Sequence, residues 1–116
     1  MKKILEELNK EVGIKGSMVI TPDGFMVAAD LGPDLDEELV AAIVSSVLVS
    51  IRKSLDRIQA PDEIKSCILH ASAGKIMFYD VGATYLVVVA DTQIELANSD
   101  IAIRSALHRI QNRRVA

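Results

Sequence analysis

The sequence predicts an α+β fold in which a five-stranded antiparallel sheet carries helices on both faces. Three stretches repeat apolar residues every three or four positions, as amphipathic helices do. Five short apolar runs are separated by turn residues, as β-strands are. In chain order these elements read αββαβββα. The chain has 116 residues, 50% of them apolar, which suffices for one compact domain over residues 1–116.

A short helix and a β-hairpin are predicted to open the chain. Gly13 is a plausible end of the helix. Residues 17–21 and 25–30 are apolar and flank residues 22–24, where proline presets the turn and glycine adopts positive φ. The apolar positions of the helix share a spacing of three to four and are Ile4, Leu5, Leu8 and Val12.

The longest predicted element is a helix in the middle of the chain. Asp34 or Asp36 caps its start, and Pro61 marks its stop near residue 59. Its apolar side covers about half of the circumference, against the ~100° stripe of a surface helix, and therefore suits packing on a sheet. The residues of this predicted sheet-facing side are Leu39, Val40, Ile43, Val44, Val47, Leu48, Ile51, Leu55 and Ile58.

Three strands and a helix are predicted to complete the chain. The runs 63–71, 75–81 and 85–90 are separated by glycine-containing turns and form an antiparallel meander. Residues 92–95 have the form of a capping box, which predicts the start of a final helix. The apolar side of that helix consists of Leu96, Ile103, Leu107 and Ile110.

Composition narrows the class of partner. The formal net charge of −3 argues against nucleic acid or an anionic membrane as the main partner, because both attract dense basic patches. The longest apolar runs fall short of the ~20 residues that span a bilayer. The single cysteine, Cys67, forms no internal disulfide, and residues 1–10 carry acidic side chains where a signal peptide is apolar. We therefore expect a cytoplasmic protein.

Two features predict a homodimer. The side of the long helix that faces away from the sheet carries small and apolar residues where a monomer needs charge, although single residues of this kind are ordinary on helix surfaces. The strand at 63–71 precedes the other two strands of the meander and is therefore expected at a sheet edge, where pairing with its copy across a two-fold axis brings the long helices together. The predicted interface consists of Ala42, Ser45, Ser46, Val49, Lys53, Ile64, Ser66, Ile68 and His70.

Several pieces of sequence occur in an order known from one protein family. They are residues 12–17, the Asp23-Gly24 turn with residues 25–30, the long helix, the turn at 74–76, residues 85–91 and residues 106–110. In order and spacing they resemble the Roadblock/dynein light-chain family over nearly the whole chain. The resemblance implies a profilin-like fold and a dimer with one sheet running through both protomers.

The resemblance also implies a function. Bacterial members similar to the polarity regulator MglB bind Ras-like small GTPases and can act as GTPase activators, whereas eukaryotic members serve in dynein or in lysosomal scaffolds. The expected function is a homodimeric protein-protein interaction module that regulates a Ras-like small GTPase. The alternative is a structural adaptor in a larger complex. The identity of the partner, and replacement of one protomer by a paralogue, stay open.

No catalytic, cofactor-binding or metal site is predicted. Gly74-Lys75 lacks the spacing of a phosphate-binding loop, and no serine or cysteine has an evident base in reach. Cys67 and His70 lie three apart on a strand, so they point to opposite faces, and Cys67 is expected to be a small core residue. We expect no enzyme activity, no metal and no nucleic-acid ligand. Candidate partner-binding residues are Glu38, Arg52, Asp56 and Arg57.

The arginines of the long helix admit two roles. Arg52 or Arg57 can act as an arginine finger on a partner's nucleotide. Surface salt bridging with neighbours such as Asp56 is the commoner role.

Overall fold

In the computed structural model, which describes residues 1–59, 64–92 and 96–115, the elements follow one another in the predicted order αββαβββα. They are α1 (Lys2–Leu8), β1 (Ile14–Ile20), β2 (Met26–Leu31), α2 (Glu37–Arg57), β3 (Ser66–Ala71), β4 (Gly74–Asp80), β5 (Tyr85–Ala90) and α3 (Leu96–Val115). Pro61, the predicted stop of α2, and most of the predicted capping box at 92–95 lie outside the described residues.

The strands form one antiparallel sheet in the order β2-β1-β5-β4-β3. β5 is the central strand, and all of its side chains are buried. Because successive side chains point to opposite faces, a strand covered on both faces is apolar throughout, as β5 is. β2 and β3 are the two edge strands. The edge position of β3, the first strand of the predicted meander, is thereby confirmed.

The helices divide between the two faces of the sheet, as predicted. α1 and α3 pack on one face, where Leu5 and Ile110 are fully buried, and α2 packs on the other, where Leu48 is fully buried. Successive side chains of β1 point alternately into the two cores, so that Val19 faces α1 and α3 whereas Met18 faces α2. We call these the α1/α3-side core and the α2-side core.

α2 begins where one of the two predicted caps lies. The Asp36 carboxylate accepts a hydrogen bond from the backbone N–H of Leu39 at 3.2 Å, and the helix ends at Arg57. The predicted sheet-facing side is too wide, because Leu39, Ile43 and Ile58 are exposed. No other helix of the described chain packs on this face, so the flanks of α2 have no helical neighbour. The residues that are buried in the sheet contact are Val40, Ala41, Val44 and Leu48.

α1 is shorter than the apolar spacing predicts. It ends at Leu8, and Val12, predicted to lie on its apolar side, is 94% exposed. The Asn9 side chain donates to the backbone oxygen of Asp30 at 2.7 Å and accepts from the buried Ser17 hydroxyl at 2.8 Å. These long-range hydrogen bonds give the buried Ser17 hydroxyl a partner and connect the chain after α1 to the sheet. The helix therefore ends at Leu8, although the apolar spacing continues to Val12.

α3 lies against α1 on the far side of the sheet. Ile103 and Ile110 are buried and Leu107 is partly buried, as predicted, while the side chain of Leu96 lies outside the described part. Arg109 forms an ion pair with Glu7 of α1, and this hydrogen bond and charge hold the pKa of the Glu7 carboxyl below its usual value. Both groups are exposed to solvent, so the pair contributes little to stability.

We expect Asp36→Ala to lower the free energy of unfolding by about 1 kcal/mol, because the substitution removes the hydrogen-bond acceptor at the start of α2. Urea denaturation measures the change. The matched control is Asp34→Ala, which removes an exposed carboxylate two residues earlier and should change stability little. A larger loss for Asp34→Ala than for Asp36→Ala would contradict this assignment of the cap.

We expect Gly16→Ala to lower the free energy of unfolding by about 1–3 kcal/mol, because β2 leaves no room for a Cβ. A Cβ at Gly16 would lie 2.8 Å from the Cα of Leu31, a backbone atom that cannot move aside cheaply. Gly32→Ala is the control, since its Cβ would meet nothing nearer than the backbone oxygen of Lys15 at 3.7 Å. Equal losses for the two variants, measured by thermal and urea unfolding, would refute the close approach.

Candidate protein-binding surface

The outward side of α2 is exposed and free of charge over most of its length. Residues 39–51 include no charged side chain, and Val49 is 46% exposed. We call this surface the outer stripe. It consists of Leu39, Ala42, Ile43, Ser46, Val49, Ser50 and Lys53, all of them exposed.

The structure brings together the helical part of the predicted dimer interface, with one exception. Ala42, Ser46, Val49 and Lys53 all lie on the outer stripe. Ser45 turns aside: it is partly buried, and its hydroxyl donates to the backbone oxygen of Pro22 at 3.3 Å. Small side chains on the stripe permit close approach of a second helix, so this surface is suited to helix packing.

The strand residues of the predicted interface lie apart from the outer stripe. Ile64 is 8% exposed and packs in the α2-side core of its own protomer. Ile68 pairs with Met77, which belongs to the α1/α3-side core, so Ile68 and its alternate neighbours Ser66 and His70 face away from α2. These three are exposed. Alternation along β3 therefore divides the predicted set between the two faces of the sheet.

Three of the four predicted partner-binding residues share one flank of α2. At about 100° per residue, Glu38, Arg52 and Asp56 lie within a narrow arc, and Arg57 lies on a different side. The turn between β1 and β2 rests against the middle of this flank through the hydrogen bond from Ser45. The turn separates a cavity near Arg52 from a groove near Glu38.

Arg52 is tied to its own protomer. Its Nη2 donates to the hydroxyl of Tyr85 at 2.8 Å, and Tyr85 is buried in the α2-side core. Together they line a cavity of about 430 Å³ that also includes Asp56 and Asp80. The predicted salt bridge to Asp56 is replaced by this hydrogen bond. An arginine so held must give up this hydrogen bond, which as a bond from a charged group is worth about 1.5–3 kcal/mol, before it can extend towards a bound protein.

The groove near Glu38 includes an exposed aromatic residue that was not among the predicted partner-binding residues. Phe25, placed in a predicted strand, is 70% exposed and lies beside Asp23 and Gly24. The groove has a volume of about 470 Å³, and we call it the turn groove. The Asp23-Gly24 turn directly before an aromatic residue was the available signal. Its lining residues are Asp23, Gly24, Phe25, Met26, Glu38, Ala41, Ala42 and Ser45.

The described residues do not assemble a metal site. Among them, no group of three or more histidine, cysteine, aspartate or glutamate side chains converges to hold an ion. Cys67 is partly buried against the α2-side core, less than the expected full burial, and His70 on the other face of β3 is exposed.

Within residues 1–59, 64–92 and 96–115, no helix combines the length and the apolarity that crossing a bilayer requires.

The fold matches several solved structures. A Roadblock/LC7 domain from Streptomyces avermitilis superposes with a TM-score of 0.86 at 15% identity, over 100% of this chain and 98% of that chain. MglB from Myxococcus xanthus superposes with a TM-score of 0.83 at 15% identity, over 96% and 91% of the two chains. Acanthamoeba castellanii profilin IB has a TM-score of 0.66 at 10% identity over 97% of each chain, which confirms the profilin-like architecture.

Sequence comparison identifies the family. An uncharacterized protein of Methanocaldococcus jannaschii is 32% identical over 109 residues, which cover 94% of this chain and 95% of that protein. The sequence profile of the Roadblock/LC7 domain matches residues 1–90, from α1 to the end of β5. The chain therefore belongs to the Roadblock/LC7 domain family.

Proposed function

We propose that this chain forms a cytoplasmic homodimer that binds and regulates a Ras-like small GTPase. The observation that carries the proposal is the outer stripe of α2, which exposes Leu39, Ile43 and Val49 without an intervening charge. Burial of apolar area stabilises association by about 25 cal/mol per Å², so a second copy that covers the stripe removes an unfavourable exposure.

The dimer was predicted from the small residues of α2 and from the exposed edge of β3. A two-fold axis beside the outer stripe would cover both. The small residues Ala42 and Ser46 allow two copies of α2 to approach closely. Their pairing brings the β3 edges within reach of each other, and joining those edges satisfies backbone groups that otherwise need water. The exposed side chains of β3 would then extend one face of a continuous sheet.

The GTPase as partner rests on family membership and on the similarity to MglB. A regulator of this kind acts through surface contacts that favour one arrangement of the GTPase switch segments. The flank that carries Glu38, Arg52 and Asp56 offers charged contacts on both sides of a fixed turn. The hydrogen bond between Arg52 and Tyr85 supports a role of Arg52 in surface contact and not as an arginine finger.

The same hydrogen bond favours a second candidate function. If no arginine reaches the nucleotide, the dimer can bind a partner without changing its chemistry, as a structural adaptor does. The two candidates differ in one measurable quantity, the rate of GTP hydrolysis in the complex.

We expect Val49→Arg to convert the homodimer into a folded monomer, because two arginines facing each other across the two-fold axis would be buried without partners. Analytical ultracentrifugation measures the mass, and circular dichroism checks the fold. Ile101→Arg is the matched control, since Ile101 is exposed on α3, away from the outer stripe. A wild-type monomer, or a Val49→Arg dimer as stable as wild type, would sink the proposed interface.

We expect a Ras-like GTPase from the same genome to form a complex with the dimer and to hydrolyse GTP at an altered rate in that complex. Calorimetry measures binding, and single-turnover assays measure hydrolysis. Arg52→Ala should weaken binding yet leave the rate at saturation close to that of the wild-type complex, whereas loss of an arginine finger costs about 10³-fold or more. Binding with an unchanged rate would favour the adaptor, and absence of both effects would reject the GTPase as partner.

A further inference from the structure

The turn between β1 and β2 presents Phe25 to solvent on a rigid support. The backbone N–H of Thr21 donates to the oxygen of Phe25 at 2.8 Å, and the N–H of Phe25 donates to the Thr21 hydroxyl at 3.0 Å. Ser45 holds the same turn against α2 through Pro22. The other phenylalanine, Phe78, is fully buried. These hydrogen bonds fix the backbone that carries Phe25, and a large aromatic side chain that a partner can cover is a common binding hot spot.

Apolar residues line the turn groove together with Phe25. They include Met26, Ala41 and Ala42, of which Ala41 is buried. The volume of about 470 Å³ falls within the ~300–1,000 Å³ typical of ligand sites. The groove can therefore accept a large apolar side chain together with the backbone on either side of it.

The rim of the turn groove is acidic. Asp23 of the turn and Glu38 of α2 both line it, and among the residues that the structure describes no lysine, arginine or histidine does. The position of Glu38 in the first turn of a helix suits the helix dipole. That explanation does not extend to Asp23, which belongs to another element. Two carboxylates beside an apolar cavity favour an occupant that combines an apolar side chain with positive charge.

We propose that the turn groove binds an extended segment of a partner protein in which a large apolar side chain is flanked by lysine or arginine. The apolar side chain packs against Phe25 and Met26, and the cations lie near Asp23 and Glu38. This inference goes beyond the proposed function, since it does not require the partner to be a GTPase. The outer stripe is assigned to a second copy, and the turn groove on the adjoining flank takes this different occupant, with Ala42 at the boundary between the two surfaces.

Two short peptides test the proposal, one with a central leucine flanked by lysines and one with glutamates in place of the lysines. Fluorescence anisotropy measures affinity, and amide chemical shifts locate the contact. We expect the lysine peptide to bind at least about tenfold more tightly, with shifts confined to the turn and the N-terminal half of α2. Phe25→Ser should weaken binding about tenfold. The double variant Asp23→Asn, Glu38→Gln should remove most of the preference between the two peptides.

Matched variants separate this site from general surface effects. Val12→Ser alters another exposed apolar residue, and Asp34→Asn another exposed carboxylate. Neither residue lines the groove, and both variants should bind the lysine peptide as wild type does. No binding, equal binding of the two peptides, or unchanged affinity in Phe25→Ser would overturn the proposal.

Sedimentation of Phe25→Ser distinguishes a partner segment from a second copy. We expect its oligomeric state to equal that of the wild type. A shift from dimer to monomer would assign the turn groove to the second copy and would also overturn the proposal. Because Val49→Arg probes the outer stripe separately, failure of the dimer and failure of the turn groove give different results.

Discussion

A single helix covers one face of a five-stranded sheet, and the character of the molecular surface follows from that constraint. Five strands spaced about 4.8 Å apart span roughly 20 Å, whereas a helix with its side chains is about 10–12 Å wide. On the opposite face two helices, α1 and α3, cover the sheet together. α2 has no helical neighbour on its own face in the described chain, so apolar residues on its flanks, such as Leu39 and Ile43, stay exposed.

The outer stripe, the turn groove and the cavity beside Arg52 all belong to this incompletely covered face. The outer stripe is the side of α2 that a second helix would cover. The turn groove and the cavity beside Arg52 occur where the turn between β1 and β2 leans on one flank of α2. The properties that these surfaces share are apolar area, small side chains and a few charges. A surface of this kind selects partners by shape and charge, so its function is specified by what it binds.

Predictions from the sequence succeeded where one local rule decided the outcome and failed where two elements competed. The sequence limited the N-cap of α2 to Asp34 or Asp36. In the structure Asp36 is the cap, because its carboxylate accepts a hydrogen bond from the backbone N–H of Leu39. The predicted end of α1 was wrong because the Asn9 side chain forms hydrogen bonds with Asp30 and Ser17. These residues are distant in sequence, and helical periodicity contains no information about them. Phe25 was overlooked because a strand pattern does not reveal whether a neighbouring element covers a given position.

The sequence alone determined the order of the elements, the central helix and the family. Each of these depends on spacing, turn chemistry and apolar alternation, which act between residues close in the chain. Tertiary structure decided which apolar residues remain exposed, how Arg52 is held by Tyr85, and which side chains of β3 face α2. Those features depend on the strand order and on the width of the sheet relative to one helix, and both arise only when distant segments pack together.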